Sequence, residues 1–138
     1  MAKGRVLGIG GIFFKSKDAP QLRNWYRDKL GMDSEPYGKM FEWHTAEAPQ
    51  TEHTTVWTIF PSDTKKYDAP LMINYIVEDL DALLERLEAE GVVIDPKREA
   101  DDYGKFAWIY DADGNKVELW EPPAASLESS DDKKDSAS

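Results

Sequence analysis

Apolar residues recur along this chain at two spacings, and the switch from one to the other happens twice in the same order. Val6 to Phe14 is an apolar, glycine-punctuated run that predicts a strand. Leu22, Trp25, Tyr26 and Leu30 then fall at helical spacing. Asp18 precedes them as an N-cap, Pro20 sits in the first turn, and Gly31 supplies the stop. Residues 32–37 predict a short edge strand, and Met40 to Thr45 with Thr54 to Phe60 predict an antiparallel pair. After Pro61 to Pro70, rich in Ser, Asp, Lys and Pro, the pattern restarts. Leu71 to Val77 predicts a strand, and Asp79 caps a helix with Leu80, Leu83, Leu84 and Leu87 on one face. Gly91 closes that helix and Val92 to Ile94 predicts a short strand. Lys105 to Tyr110 and Lys116 to Trp120 predict a hairpin around Asp111-Ala-Asp-Gly-Asn.

Each half therefore reads β-α-β-β-β, and the halves are in register. The two helix caps are 79 − 18 = 61 residues apart. Val56-Trp57 and Val117-Glu118 have the same offset, and Tyr37-Gly38-Lys39 recurs as Tyr103-Gly104-Lys105. The simplest account of that last pair is two matching glycine turns into matching strands. Two copies of one unit predict a pseudo-symmetric α+β domain with a concave site between the copies. The expected organisation is a single domain over 1–123: module one at 6–61, a linker at 62–70 and module two at 71–123. Residues 124–138, with almost no apolar content, predict a disordered acidic, Ser-rich tail.

The formal charge of −10 over 138 residues argues against a nucleic-acid partner. No apolar run approaches the ~20 residues that cross a bilayer, so no membrane partner is expected. The absence of cysteine removes thiolate chemistry and cysteine metal sites. Without a signal-like start, a cytoplasmic location is the expectation. No phosphate loop, Ser-His-Asp arrangement or dinucleotide fingerprint is present.

The duplicated order and the phrase Asp111-Ala-Asp113-Gly114-Asn115-Lys-Val-Glu118-Leu-Trp resemble the vicinal oxygen chelate superfamily of glyoxalase I, extradiol dioxygenases and bleomycin resistance proteins. The resemblance covers Val6 to Pro122. It implies curled sheets around a shared cleft, a homodimer, and four metal-ligand positions that project here onto Gly11, Trp57, Met72 and Glu118. Only Glu118 suits a hard or borderline metal, because glycine has no side chain, tryptophan only donates, and a thioether is soft. The expectation is therefore a metal-free and cofactor-free protein, like the drug-sequestering members, that binds a small flat organic molecule. Trp57, Trp108 and Trp120 would stack on the ligand, Met72 would follow its outline, Gly11 would leave room for it, and Tyr103 could act as a lid. Glu118 is the candidate anchor or general base. The alternatives are a glyoxalase-like lyase, isomerase or dioxygenase with relocated ligands, drawing on Glu42, His44 and His53, an acid/base enzyme using Glu118 alone, or a purely structural or partner-binding module with a filled cleft.

Overall fold

The computed structural model describes residues 4–123; the expected tail at 124–138 lies outside them. The elements are β1 (Arg5–Ser16), α1 (Ala19–Leu30), β2 (Lys39–Trp43), β3 (His53–Pro61), β4 (Leu71–Glu78), α2 (Leu80–Ala89), β5 (Val93–Asp101), β6 (Gly104–Tyr110) and β7 (Lys116–Glu121). The strands form one mixed sheet in the order β2-β3-β1-β4-β7-β6-β5.

The two copies meet at the antiparallel β1–β4 pair, where Ile12 lies opposite Ile73. These residues are themselves 73 − 12 = 61 apart, so the pair lies on the local two-fold relating the copies. On either side the last strand of each copy joins its first in parallel, β3 to β1 and β7 to β4. The sheet is strongly curled. Phe60 on β3 and Asp95 and Glu99 on β5 line one cavity, although four strands separate β3 from β5 in the hydrogen-bonded order.

The helix signals fold as expected. Asp18 accepts from the Gln21 N–H at 3.0 Å, and Gly31 ends α1 in the left-handed region. Asp79 accepts from the Ala82 N–H, and the Glu121 carboxylate takes the otherwise unpaired Leu80 N–H at 2.7 Å. The helices differ in how they pack. Leu80, Leu83 and Leu84 of α2 are buried against Val77, Ala107 and Leu119. No residue of α1 is fully buried, and Trp25 and Leu30 are largely exposed.

Two expectations are corrected. The first copy is β-α-β-β, because residues 32–37 make only an isolated Glu35–Gly38 bridge. In the second copy the short strand at 92–94 extends to Asp101, past a break in register between Ile94 and Arg98 where Pro96 sits on the sheet edge. The matching-turn account of the Tyr-Gly-Lys repeat agrees with the geometry. Gly38 and Gly104 have φ of 121° and 118°, and an added Cβ would lie 2.4 Å from the Trp57 carbonyl oxygen and 2.2 Å from that of Glu121.

Leu84→Ala should cost about 2–5 kcal/mol of stability in urea unfolding. Leu30→Ala should stay within about 0.5 kcal/mol. Gly104→Ala should cost about 1–3 kcal/mol, because the backbone there is denied to a residue with a Cβ.

Candidate functional site

Glu118 is held by its two lateral neighbours in the sheet. It pairs with Asn74 on β4 and with Trp108 on β6. Asn74 Nδ2 donates to Oε1 at 2.5 Å, and Trp108 Nε1 donates to Oε2 at 2.9 Å. Strand alternation places Val117 and Leu119 in the core under α2, and Glu118 on the opposite face. There it opens into a cavity of about 430 Å³.

The cavity floor is an aromatic cluster. Tyr67, Met72 and Trp108 are buried together, with Phe13, Phe60 and Phe106 packed against them. Phe13 stacks on Phe60 with ring centroids 5.5 Å apart. One wall comes from β5, including Asp95, Lys97 and Glu99, and another from Lys65 and Lys66 between the copies. Lys97 Nζ lies 5.3 Å from the Trp108 ring centroid.

Burial pushes the Glu118 carboxyl above its ordinary value, opposed by the hydrogen bonds from Asn74 and Trp108 and by the charge of Lys66. The Asn74 Oδ1 is buried with no hydrogen-bond partner. An amide can exchange its two ends. Asn74 can therefore donate to an ionised Glu118, or turn over and accept from a protonated one. Trp108 can only donate, so the proton of a neutral Glu118 belongs on the oxygen facing Asn74. The site can thus hold a proton at Oε1 and release it without leaving the carboxyl unpaired.

The residues singled out in the sequence divide. Glu118, Met72 and Trp108 line one cavity. Trp57 lies on the other face of the sheet, packed edge-on against Phe14 and Tyr26. Pairing explains this: Phe13 pairs with Thr58 and Asn74 with Glu118. The counterpart of Glu118 is thus Thr58, at 118 − 58 = 60 residues, and a slip of one residue moves a side chain to the opposite face. Thr58 Oγ1 donates to the Tyr37 carbonyl.

The space beside Gly11 is filled by the Phe13 ring, 2.6 Å from where a Cβ would stand, so the glycine makes room for a core side chain. Trp120 stacks on Phe106 with rings 3° from parallel and donates to the Tyr103 carbonyl. It lies beside the cavity lining, and Tyr103 is 74% exposed outside that lining. His53 is buried against Trp43, which lowers its pKa by desolvation. Glu42 and His53 belong to β2 and β3, and β3 is three strands from β7. Among the described residues no three His, Cys, Asp or Glu converge as a metal site. The groups around Glu118 do not fit a divalent ion, since both of its oxygens are met by N–H donors and, among the described residues, the other acids of the lining do not converge with it as a ligand set.

Sequence reasoning missed Asn74 and the inter-copy segment. The signal for Asn74 was a lone amide alternating with Met72 and Ile76 in a central strand. The lysines gave no signal, because their place depends on the path of a segment without regular structure.

The comparisons agree with this architecture. The profile of the Glyoxalase/Bleomycin resistance protein/Dioxygenase superfamily matches residues 8–119. No curated protein matches by sequence. Among solved structures, a variant methylmalonyl-CoA epimerase from Streptomyces coelicolor in complex with 2-nitronate-propionyl-CoA aligns with TM-score 0.63 and 17% identity, over 91% of this chain and 99% of that one. The methylmalonyl-CoA epimerase of Mycobacterium tuberculosis aligns with TM-score 0.55 and 20% identity, over 88% and 92%. A structure described as NAD-dependent benzaldehyde dehydrogenase from Legionella pneumophila aligns with TM-score 0.55 and 13% identity, over 82% and 98%. At these identities the likeness is one of fold. With its profile match spanning most of the chain, its duplicated unit and its curled sheet, this protein belongs to the Glyoxalase/Bleomycin resistance protein/Dioxygenase superfamily.

Proposed function

We propose that this protein binds a small, flat organic molecule in the cleft without a divalent metal, in the manner of the drug-sequestering branch of the superfamily. The observation that carries this reading is the setting of Glu118. One carboxyl at the floor, fixed by Asn74 and Trp108, faces a 430 Å³ cavity whose floor is aromatic and whose β5 wall carries Asp95, Glu99 and Asp101. That volume suits a drug-sized or smaller ligand. Phe13, Phe60, Phe106 and Trp108 offer apolar surface for a planar body, and Glu118 gives one oriented polar contact. A second copy of the chain is part of the proposal. β2 leaves the outer edge of module one unpaired, with Met40 and Phe41 exposed beside it.

One observation favours a second reading, proton transfer by Glu118. Its carboxyl is pushed up by burial and its neighbour Asn74 can serve either protonation state. The epimerases of the same fold are named for an isomerisation. Under this reading Glu118→Gln abolishes turnover and leaves binding of the same molecule intact.

In a ligand-observed NMR screen, flat aromatic fragments should bind, and Glu118→Gln should weaken those carrying an N–H or O–H donor by about tenfold. Donor-free fragments should be unaffected. A screen without binders, or binders indifferent to Glu118, contradicts the proposal. Stability gives an independent check. Glu118 has a folded-state pKa above the ordinary 4.5, so its contribution is present below that value and lost as pH rises through the folded-state value. Glu118→Gln, which keeps its partners if Asn74 turns over, should gain on the wild type across that window and show no further change above it. A pH-independent difference in urea unfolding contradicts the buried setting.

A further inference from the structure

The segment between the two copies is part of the cleft. Residues 62–70 have no regular structure, yet Tyr67 within them is 2% exposed. Tyr67 is wedged against Phe60 and buried with Met72 and Trp108. Two lysine side chains clip the segment down. Lys15 Nζ donates to the Asp68 carbonyl at 2.9 Å and also lies 5.0 Å from the Tyr67 ring centroid. Lys116 Nζ donates to the Lys66 carbonyl at 3.2 Å. A third tie is the Lys15 N–H to the Pro70 carbonyl. The segment is thereby held as a wall, with Lys65 and Lys66 lining the cavity.

The facing wall on β5 carries Asp95, Glu99 and Asp101. Those acids are held in place by local hydrogen bonds, and among the three only Glu99 is ion-paired. Asp95 accepts from the Tyr110 hydroxyl and the Lys97 N–H. Glu99 is 3.9 Å from Lys97 Nζ, and Asp101 accepts from the Tyr103 N–H. The cations on the inter-copy side are not matched in this way. Among the described residues Lys65 and Lys66 make no ion pair; Lys66 Nζ rests over Phe60, 5.4 Å from the ring centroid, and its charge is felt at Glu118 without a direct contact. The lining as a whole is balanced, with Lys65, Lys66, Lys97 and Lys116 against Asp95, Glu99, Asp101 and Glu118, but its charges are segregated: the inter-copy side of the lining carries only cations, on a chain whose formal charge is −10. Elsewhere that acidity repels anions; at the cleft two ammonium groups stand at the edge of an aromatic floor.

Resting on the proposed ligand site, we infer that the inter-copy segment sets its specificity, and that the ligand is a planar apolar molecule bearing a negatively charged group, which Lys65 and Lys66 receive. The flat body lies on Phe13, Phe60 and Trp108, and the anion stays at the mouth, where it keeps part of its hydration. This places the two polar ends of the ligand at different depths, with Glu118 at the floor and the ammonium pair at the rim.

Two fluorescent probes with a common skeleton test this. One is 8-anilinonaphthalene-1-sulfonate, and the other is N-phenyl-1-naphthylamine, which lacks the sulfonate. The wild-type protein should bind both, with energy transfer from tryptophan. The sulfonate should bind about tenfold more tightly, as one well-placed charge contact allows. The double variant Lys65→Ala/Lys66→Ala should erase that preference and leave the neutral probe unchanged. Arg23→Ala/Lys29→Ala on α1, with the same change in net charge, should keep it. Equal affinity for the two probes, or equal effects of the two double variants, overturns the inference and leaves the ligand site standing. Binding of neither probe overturns both.

Discussion

The antiparallel pairing of β1 with β4 is the constraint on which the structure depends. Each copy alone is a few strands with one helix, too little to enclose a cavity. Joined at Ile12 and Ile73, the copies share one sheet, and its curl turns a common face inward. The row of lateral neighbours crossing that seam runs Gly11, Asn74, Glu118, Trp108. The site chemistry is therefore a product of strand register. Asn74 and Trp108 reach Glu118 because backbone ladders hold them alongside it, on rigid strands rather than loops.

The copies have diverged in a way that separates support from chemistry. Module two carries the better-packed helix, an extra strand, and Asn74, Glu118 and Trp108. Module one has a helix with no buried residue and ends its sheet one strand earlier. At the place matching Glu118 it has Thr58, whose hydroxyl serves the turn at Tyr37. Module one gives the cleft apolar surface through Phe13 and Phe60. The polar centre thus belongs to one half of a pseudo-symmetric shell.

Much of this was legible in the residues. Helix caps at Asp18 and Asp79, glycine stops, the Asp111–Asn115 turn and the duplicated order are local signals, and local energetics decide them. The cleft-facing position of Glu118 followed from alternation in β7 once the family resemblance supplied the inward face. Trp57 failed for a register reason. A constant offset of 61 held along the first strands and became 60 along the last, and one residue is the whole difference between the two faces of a strand. The placement of Lys65, Lys66 and Tyr67 was not legible, since a segment rich in Ser, Asp, Lys and Pro looks like a spacer. Its path is fixed by tertiary contacts from Lys15 and Lys116 that no local pattern encodes.

The central claim is that the polar heart of this cleft is one carboxyl held by N–H donors, where a chelating set would need several convergent ligands. Elemental analysis of the purified protein after equilibration with zinc, nickel, cobalt and manganese, followed by dialysis, tests it most directly. The account predicts substoichiometric metal that is unchanged by Glu118→Gln. One transition-metal ion retained per chain, and lost in that variant, would contradict it.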